Sequence, residues 1–390
     1  MEVNCCIFIL YTVYLFAKLY AKYIDVFATK FNQMYNIIQD FIQYMKRFKM
    51  KKIVLCGGGT AGHVYPALAV AEKLNGYEIH YFGGDGIEKE ILKNFPDIIY
   101  HQIPAVKFER KFTPKNLLIP FKLWKAVKET KRELQKVAPD GIFSKGGFVS
   151  VPVAMAGKKL NIPIISHESD LSFGLANKIV LKYCSHMCTT FDKTANGNKK
   201  CIHTGQPIRR KIFEGQKLRL NFDETKPTIL VLGGSLGAKF LNEIIFENLE
   251  KLTEKYNIIH ICGKKNAQEI VHQNYFLTPY AENIEDYYAS ADIVISRAGS
   301  GVINELLALE KPMLLIPLSK KCSRGDQIEN AKLFVEKGYA LMLEEENFNF
   351  IKLNENLEKL TKNKQNFIKN MKKTAKNNAV EQIFNLITKF

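Results

Sequence analysis

"KIVLCGGGTAGHVYPALAVAEKL", residues 52–74, joins a short apolar run to a helix-forming segment through a cluster of glycines. An apolar run of this length that ends in turn residues is typical of a buried parallel strand. Gly57, Gly59 and Gly62 also satisfy the dinucleotide-binding pattern G-x-G-x-x-G. That pattern is a weak signal by itself, so the rest of the chain has to indicate what this turn binds.

The same strand–turn–helix pattern occurs four times after Met50. It begins at Lys52, Gly141, Thr228 and Asp292, two occurrences in each half of the chain, with "HTGQPIRR" at residues 203–210 between them. Short β-branched runs that alternate with helical stretches indicate parallel sheets built from βαβ units. We therefore predict an α/β chain with two Rossmann-like doubly wound domains that face each other across a cleft, because ligands of such sheets bind beyond the carboxyl ends of the strands.

Three segments are expected within the 390 residues. Residues 1–49 form a hydrophobic and amphipathic helical extension, residues 50–208 an N-terminal domain, and residues 209–390 a C-terminal domain whose last helix returns to the N-terminal one. Val3 to Ala17 carry no charge, and apolar residues recur at helical spacing from Phe27. Two interpretations stay open: a membrane anchor followed by an interfacial helix, or a true translation start at Met50.

The chain is strongly basic, with 56 Lys and Arg against 39 Asp and Glu and a net charge of +17. No zinc-finger spacing or recognition-helix pattern indicates a nucleic-acid partner. The stretch from Lys107 to Lys136 mixes cations with large apolar side chains, which suits an anionic membrane surface; a lysine-rich solvent face is the alternative. The eight cysteines show no disulfide framework, as expected for a reducing cytosol.

The glycine turns offer backbone N–H groups at helix N-termini, where an anion is favoured. In the first turn His63 has no part in a bare pyrophosphate site, and Asp85 comes late for the carboxylate that a dinucleotide ribose requires. In the third turn Gly233, Ser235 and Gly237 match the nucleophile elbow G-x-S-x-G of hydrolases. No later histidine stands in a loop where a triad histidine usually lies, so a hydroxyl that binds phosphate accounts for Ser235 better.

Several stretches in combination resemble glycosyltransferase family 28. They are "GGTAGHVYPALAVAEKL", "SHESDLSFGLANKI", "GQPIRRKIF", "LGGSLGAKFLNE", and "SRAGSGVINELLALEKPMLLIPL" through "SRGDQIENA". The resemblance runs from about Met50 almost to the C-terminus and does not include residues 1–49. It implies a glycosyltransferase-B fold and an enzyme of peptidoglycan synthesis that is peripheral on the cytoplasmic side of the cell membrane. The N-terminal domain would face the membrane and the acceptor, and the C-terminal domain would hold the nucleotide.

The reaction that the resemblance implies is the transfer of N-acetylglucosamine from UDP-N-acetylglucosamine to the muramoyl 4-hydroxyl of lipid I. The product is lipid II, and the anomeric centre inverts. A related lipid-acceptor enzyme, such as a diacylglycerol glucosyltransferase, and a sugar-nucleotide-binding protein without turnover are the alternatives. No cofactor is expected, and no metal, because the chain has no D-x-D pair to hold one on the diphosphate.

The resemblance also implies roles for particular residues. His63 is the candidate general base, since an imidazole can take the proton of the attacking hydroxyl. Glu168 is the rival base, or a group that orients the acceptor. Asp170 stands where the family often has an asparagine that donates to the sugar. The expected contacts to UDP-N-acetylglucosamine are Thr60, Ala61, Gly62, Asp170, Arg209, Ser235, Ala281 (through its backbone), Ser300, Gly301, Glu305 and Gln327.

Overall fold

The computed structural model describes residues 18, 20, 23, 24, 27–41, 50–106, 118–234, 237–266, 270–374 and 378–390. The chain forms two compact units, Met1–Lys51 and Lys52–Phe390. Two predicted features lie outside the described residues: the apolar segment Val3 to Ala17 and the side chain of Ser235. The stretch from Lys107 to Lys136 is described only from residue 118 onward.

The N-terminal unit contains a helix over residues 27–41, where the apolar spacing predicts one. Large apolar side chains on this helix are exposed, among them Phe27, Phe31, Met34 and Phe41. Within the part of the chain that the structure describes, no helix combines the length and the apolar character needed to cross a bilayer.

The first sheet of the larger unit has seven parallel strands in the order β3-β2-β1-β4-β5-β6-β7. Its strands are β1 (Lys52–Cys56), β2 (Glu78–Gly83), β3 (Ile99–Gln102), β4 (Gly141–Ser144), β5 (Ile164–Glu168), β6 (His186–Thr189) and β7 (Cys201–His203). Its helices are α1 (Ala61–Ala71), α2 (Ile87–Leu92), α3 (Ile119–Val137), α4 (Ser150–Lys159), α5 (Leu175–Val180) and α6 (Asp192–Ala195).

The second sheet has six parallel strands in the order β10-β9-β8-β11-β12-β13. Its strands are β8 (Thr228–Leu232), β9 (Asn257–Ile261), β10 (Tyr275–Thr278), β11 (Ile293–Ser296), β12 (Met313–Leu315) and β13 (Ala340–Met342). Its helices are α7 (Lys239–Glu247), α8 (Leu249–Thr253), α9 (Ile284–Ser290), α10 (Ser300–Ala308), α11 (Asp326–Glu336), α12 (Phe350–Lys362) and α13 (Lys364–Lys372). Short 3₁₀ turns occur at Arg210–Phe213, Lys264–Asn266 and Glu345–Asn347.

Both sheets reverse their strand order next to a glycine turn. In the first sheet Ile53 of β1 lies opposite Ile79 of β2 and Gly141 of β4. In the second sheet Ile229 of β8 lies opposite Ile258 of β9 and Ile293 of β11. The first and third turns therefore follow the strands at the two topological switch points, where ligands of open parallel sheets bind. The α/β prediction with two doubly wound sheets is confirmed.

The last helix, α14 (Ala379–Ile387), packs on the first sheet although it follows the second in sequence. Ile383 and Ile387 are buried in one apolar cluster with Ile53 and Leu55 of β1. The terminal Phe390 ring occupies the space beside Gly141, so a side chain at Gly141 would displace it. The C-terminus therefore supplies part of the core on which the first glycine turn rests.

Candidate active site

The first glycine turn connects β1 to α1, with Thr60 in extended conformation immediately before the helix. A Cβ atom on Gly57 would lie 3.2 Å from the carbonyl oxygen of His63 and 3.2 Å from the Cβ atom of Lys145. Glycine is therefore what allows α1 to approach the end of β4. Thr60 and Gly62 are exposed and Ala61 is half-buried, so the start of α1 is accessible to a ligand.

A carboxylate of the protein fills the inner side of this turn. Glu88, buried near the start of α2, accepts hydrogen bonds from the N–H groups of Gly59 (3.1 Å) and Gly84 (2.9 Å). In a dinucleotide site, N–H groups at the first turn face the pyrophosphate. Here the carboxylate of Glu88 takes the place of such an anion. Glu88 could not be predicted from the sequence, since nothing local indicates that α2 folds back onto β1.

His63 lies in the first turn of α1 with its ring directed at the end of β4. Its Nδ1 atom is 3.1 Å from the carbonyl oxygen of Lys145. A carbonyl can only accept, so the neutral ring carries its proton on Nδ1 and leaves the Nε2 lone pair free. Burial and the nearby Lys145 lower the pKa of His63 to about 4, against the opposing charges of Asp170 and Glu88. The imidazole is therefore neutral at pH 7, as a general base must be.

Lys145 follows β4 directly and is fully buried. Its ammonium donates a hydrogen bond to the Ser169 hydroxyl, which in turn donates to Oε1 of Gln206 (3.2 Å). Burial lowers the pKa of Lys145 to about 8, while Glu168 and Asp170 act in the opposite direction. This lysine lies in the second predicted strand–turn–helix pattern, where the sequence suggested no role for it. The available signal was a lysine directly after an apolar strand.

Glu168 ends β5 and is buried, with both carboxylate oxygens engaged. Oε1 accepts from the N–H of Asp170 (3.0 Å), while Oε2 accepts from the N–H of Gly174 (3.0 Å) and from the amide of Asn177 (3.0 Å). The first two donors tie the loop of residues 169–174 to the end of the strand, and the third ties α5 to it. The arrangement favours the orienting interpretation of Glu168 over the base.

That loop reaches from the first sheet to the second. Asp170 accepts hydrogen bonds from Arg324 (2.8 Å) and from Asn330 (3.2 Å), and Asn330 accepts from the N–H of Leu171 (3.2 Å). The Ser300 hydroxyl donates to the carbonyl of Ser169. Asp170 is thus in a salt bridge, in place of the amide donor usual in the family. Neither Arg324 nor Asn330 was predicted as a site residue.

Arg209 lies against α1. Its guanidinium carbon is 4.1 Å from the centre of the Tyr65 ring, a cation–π distance. The buried Nε atom of Arg209 has no hydrogen-bond partner among the described residues. Buried donors are rarely left unpaired, so this atom is available to an anionic or polar partner.

Glu305 lies on α10, which packs against α1. The hydroxyl of the buried Tyr288 donates to its Oε2 atom at 2.9 Å. Burial raises the pKa of Glu305 to about 7, although Tyr288 and the charge of Arg209 oppose the shift. Ser300, at the start of the same helix, is buried, and no atom lies within 4 Å of a Cβ placed on Gly301. The start of α10 therefore has open space next to a carboxylate.

Gln327 and Ala281 belong to the part of the chain that forms the second sheet and its helices. Oε1 of Gln327 accepts from the N–H of Leu318 (3.0 Å), an arrangement that directs its NH₂ group away from that loop. Ala281 is half-buried between β10 and α9. Ser235 lies outside the described residues, although the neighbouring Gly237, at φ +77°, is packed tightly against Cys262.

The structure thus divides the predicted residues into connected groups at the carboxyl ends of both sheets. His63 contacts Lys145, and the charge of Glu168 is close enough to act on Lys145. Arg209 lies against α1, and its charge acts on Glu305. The loop of residues 169–174 joins Asp170 to α10 and α11. Among the described residues, no group of three His, Cys, Asp or Glu side chains could hold a metal ion.

Comparison with known proteins identifies the two halves separately. Residues 53–189 match the glycosyltransferase family 28 N-terminal domain, and residues 228–387 match its C-terminal domain. A Clostridium botulinum protein is 47% identical over 353 residues, covering 87% of this chain and 99% of its own. A Clostridium tetani protein is 46% identical over 352 residues, covering 87% and 98%. Both are named UDP-N-acetylglucosamine–N-acetylmuramyl-(pentapeptide) pyrophosphoryl-undecaprenol N-acetylglucosamine transferase.

Solved structures agree with this assignment of the halves. The crystal structure of Acinetobacter baumannii MurG superposes with a TM-score of 0.69 at 26% identity, covering 87% of this chain and all of that one. The calicheamicin glycosyltransferase CalG4 superposes with a TM-score of 0.64 at 12% identity, covering 86% and 95%, and so supports the fold alone.

Proposed function

This chain belongs to glycosyltransferase family 28, and we propose that it transfers N-acetylglucosamine from UDP-N-acetylglucosamine to the muramoyl 4-hydroxyl of lipid I, forming lipid II with inversion at the anomeric carbon. The observation that carries this proposal is the 47% identity with an enzyme of that name over 99% of the relative's length. The reaction belongs to peptidoglycan synthesis. The site geometry is compatible with it, because His63, a neutral imidazole with a free Nε2, lies on α1, which packs against the helix α10 that carries Glu305.

The donor is assigned mainly to the C-terminal domain, residues 209–390. The carboxylate of Glu305 would accept hydrogen bonds from the two ribose hydroxyls, while Arg209 would pair its free Nε with the diphosphate. Ser235 and the N–H groups of Ser300 and Gly301 would supply further donors to the phosphates. Gln327 would hold the sugar, and the backbone at Ala281 the uracil.

The acceptor is assigned to the N-terminal domain, residues 50–208. The start of α1 at Thr60, Ala61 and Gly62 would lie beside the donor phosphates and sugar. His63 Nε2 would remove the proton of the muramoyl 4-hydroxyl as the oxygen attacks the anomeric carbon from the face opposite UDP. UDP then leaves with the bonding electron pair, and Arg209 together with the helix N-termini would stabilise its charge. Glu168 would orient the acceptor loop.

No metal or other cofactor takes part in this mechanism. The donor set around the diphosphate consists of backbone N–H groups and a guanidinium, and these are ligands for an anion. We therefore expect the rate of transfer to be the same with and without EDTA. A loss of activity in EDTA that magnesium restores would contradict this assignment.

The membrane contact is assigned to the start of α3. Leu118, Phe121 and Trp124 are exposed there, with residue accessibilities of 57% for Trp124 and 65% for Phe121. Lys128 places its ammonium 5.2 Å from the centre of the Trp124 ring. Exposed aromatics beside lysines suit the interface of an anionic membrane, where the protein would lie on the cytoplasmic face. No nucleic-acid partner is proposed.

Vesicle sedimentation tests this surface. We expect Trp124→Ala and Phe121→Ala to weaken binding to phosphatidylglycerol vesicles, whereas Ile351→Ala, which removes a side chain exposed on α12, leaves binding unchanged. Equal binding by all of these variants would contradict the assignment of α3.

UDP release tests the activity. We expect release from UDP-N-acetylglucosamine only when lipid I is added, and none with diacylglycerol. His63→Gln is expected to lower kcat by about 10²–10⁴-fold with UDP affinity unchanged, since it removes only the base. His272→Gln, a partly buried histidine beside Glu250 on the second sheet's side, is the matched control. Release with diacylglycerol would favour the related lipid glucosyltransferase, and no acceptor-dependent release a binding protein.

A further inference from the structure

The mechanism above leaves one fully buried cation without a role. Lys145 is 0% exposed at the carboxyl end of β4, and its ammonium contacts the hydroxyl of Ser169. A buried ammonium is costly unless it is paired and hydrogen-bonded. Two carboxylates, Glu168 and Asp170, lie near enough to stabilise this charge.

The backbone of Lys145 is fixed by the sheet and by close packing. Its N–H donates to the carbonyl of Cys56 in β1 at 2.7 Å, continuing the pairing of β1 with β4. Gly57 separates it from His63 with no room for a side chain. The Lys145 carbonyl is therefore held rigidly at 3.1 Å from Nδ1 of His63.

The side chain of Lys145 leads to the donor half of the molecule. Its partner Ser169 begins the loop that crosses to the second sheet, and the Ser169 carbonyl accepts the hydroxyl of Ser300 at the start of α10. Ser169 also contacts Gln206, which accepts from Thr190 as well (2.9 Å). Lys145 thus contacts both the candidate base, His63, and the loop that borders the start of α10.

We propose that Lys145 is a positioning residue of the transfer reaction: its carbonyl selects the His63 tautomer with a free Nε2, and its ammonium fixes Ser169 and thereby the crossing loop beside Ser300. This inference rests on the proposed function, in which His63 is the base. Lys145 itself touches neither donor nor acceptor, because its side chain is closed off from solvent.

Electrostatics give this arrangement a measurable consequence. The charged groups that face His63 are Lys145 from β4, Asp170 from the crossing loop and Glu88 from α2. Burial and Lys145 lower the pKa of the imidazole, whereas the two carboxylates raise it. Removal of the Lys145 charge therefore has to raise the pKa of His63 and bring its protonation closer to neutral pH.

The wild-type protein provides the first test. With ¹⁵N-labelled histidine, and the signal assigned by its loss in His63→Gln, we expect the Nδ1–H tautomer at pH 7 and no protonation down to about pH 5. This measurement needs neither substrate nor turnover. An Nε2–H tautomer, or titration near the ordinary imidazole value of about 6.5, would overturn the proposal.

The second test replaces the side chain. Lys145→Met is expected to raise the His63 titration by about one pH unit or more. It is also expected to lower kcat at pH 7 roughly 10²-fold, since the loop beside the reacting groups is no longer held. Lys311→Met is the matched control, because Lys311 is a partly buried lysine on a backbone carbonyl (Ala291, 2.7 Å) in the other half of the molecule.

The pH profile of kcat distinguishes a positioning role of Lys145 from a purely structural one. It is measured with saturating donor, so that titration of Glu305 does not contribute. The wild type and Lys311→Met are expected to keep their rate down to about pH 5, whereas Lys145→Met loses rate below about pH 6 to 6.5. An unchanged profile and unchanged His63 titration in Lys145→Met would overturn the proposal. If Lys145→Met does not fold, the wild-type tautomer and titration decide alone. Absence of lipid I-dependent transfer in the wild type would instead refute the proposed function.

Discussion

Glu305 is a carboxyl group whose ionisation depends on its burial. Its Oε2 atom accepts a hydrogen bond from Tyr288, and burial raises its pKa to about 7. An ionised carboxylate can accept a hydrogen bond from each of the two ribose hydroxyls, one on each oxygen. At neutral pH, only about half of the free protein molecules therefore carry Glu305 in the ionised form that the proposed ribose contact requires.

We predict that affinity for UDP-N-acetylglucosamine increases as the pH rises from 6 to 8. With a pKa of about 7, the carboxylate fraction grows roughly tenfold over that range, and the affinity should follow it. Titration calorimetry at pH 6, 7 and 8 measures the change. Glu305→Gln is the control, and it should bind weakly with no such pH dependence. A wild-type affinity that is constant over this range would contradict the assignment of Glu305 to the ribose.

At the scale of elements, the turn between β1 and α1 combines two different uses of glycine. Gly58 is enclosed, because a Cβ there would lie 2.5 Å from Oε1 of the buried Glu88. Gly62 is open, because the nearest atom to its Cβ position, the hydroxyl oxygen of Thr60, is 3.7 Å away. The first glycine therefore serves packing, whereas the second leaves access to the start of the helix.

We predict opposite results for alanine at these two positions. Gly58→Ala should lower the free energy of unfolding by about 1–3 kcal/mol, since it displaces a carboxylate held by two N–H groups. Gly62→Ala should keep or slightly raise stability, because alanine favours a helix, and yet lower kcat/KM at least about tenfold by crowding the substrate. Urea unfolding and transfer assays on both variants provide the measurements. If Gly62→Ala retained full activity, the start of α1 would not be a substrate contact.

At the scale of the whole molecule, the loop after β5 holds the two sheets together. The salt bridge between Asp170 and Arg324 is partly exposed, with 24% and 31% of the side chains accessible, so its own contribution to stability is modest. The salt bridge matters for where it holds the loop, because the same loop carries Ser169 and forms hydrogen bonds with Asn330 and Ser300. It connects the proposed acceptor side to the proposed donor side.

We predict that Arg324→Met lowers kcat/KM for transfer about tenfold while changing the free energy of unfolding by about 1 kcal/mol or less. A double-mutant cycle with Asp170→Asn should give a coupling of about 0.5–3 kcal/mol in the activation free energy. Fully additive effects of the two substitutions would mean that the bridge does not organise the site.

The C-terminal helix α14 provides the second connection across the molecule. Ile383 and Ile387 are completely buried against the first sheet. We predict that Ile383→Ala and Ile387→Ala each cost about 2–5 kcal/mol in the free energy of unfolding, because they leave cavities beneath β1. Ile351→Ala, at a position 69% exposed, is the control and should change stability by less than about 0.5 kcal/mol. Equal stability of the three variants, measured by thermal unfolding, would show that α14 does not complete this core.

The sequence by itself determined the α/β class and the two sheets, because strand period, glycine spacing and helix-forming runs are local properties of the chain, and the resemblance of its motifs indicated the family. The resemblance also named Arg209, Glu305 and His63, whose roles at the site stay predictions. The assignment of the remaining contacts and the domain limits 1–49, 50–208 and 209–390 stay predictions. Ser235 lies outside the described residues.

Only the tertiary structure decided how these residues are held. Glu88 bonds to Gly59 across 29 residues, Lys145 to Ser169 across 24, and Asp170 to Arg324 across 154. Periodicity shows which side of an element is apolar, but it does not show which polar groups meet beyond the ends of the strands. Those contacts depend on the order of the strands and on the loop that crosses between the two sheets. Burial then shifts the pKa values of His63, Lys145 and Glu305.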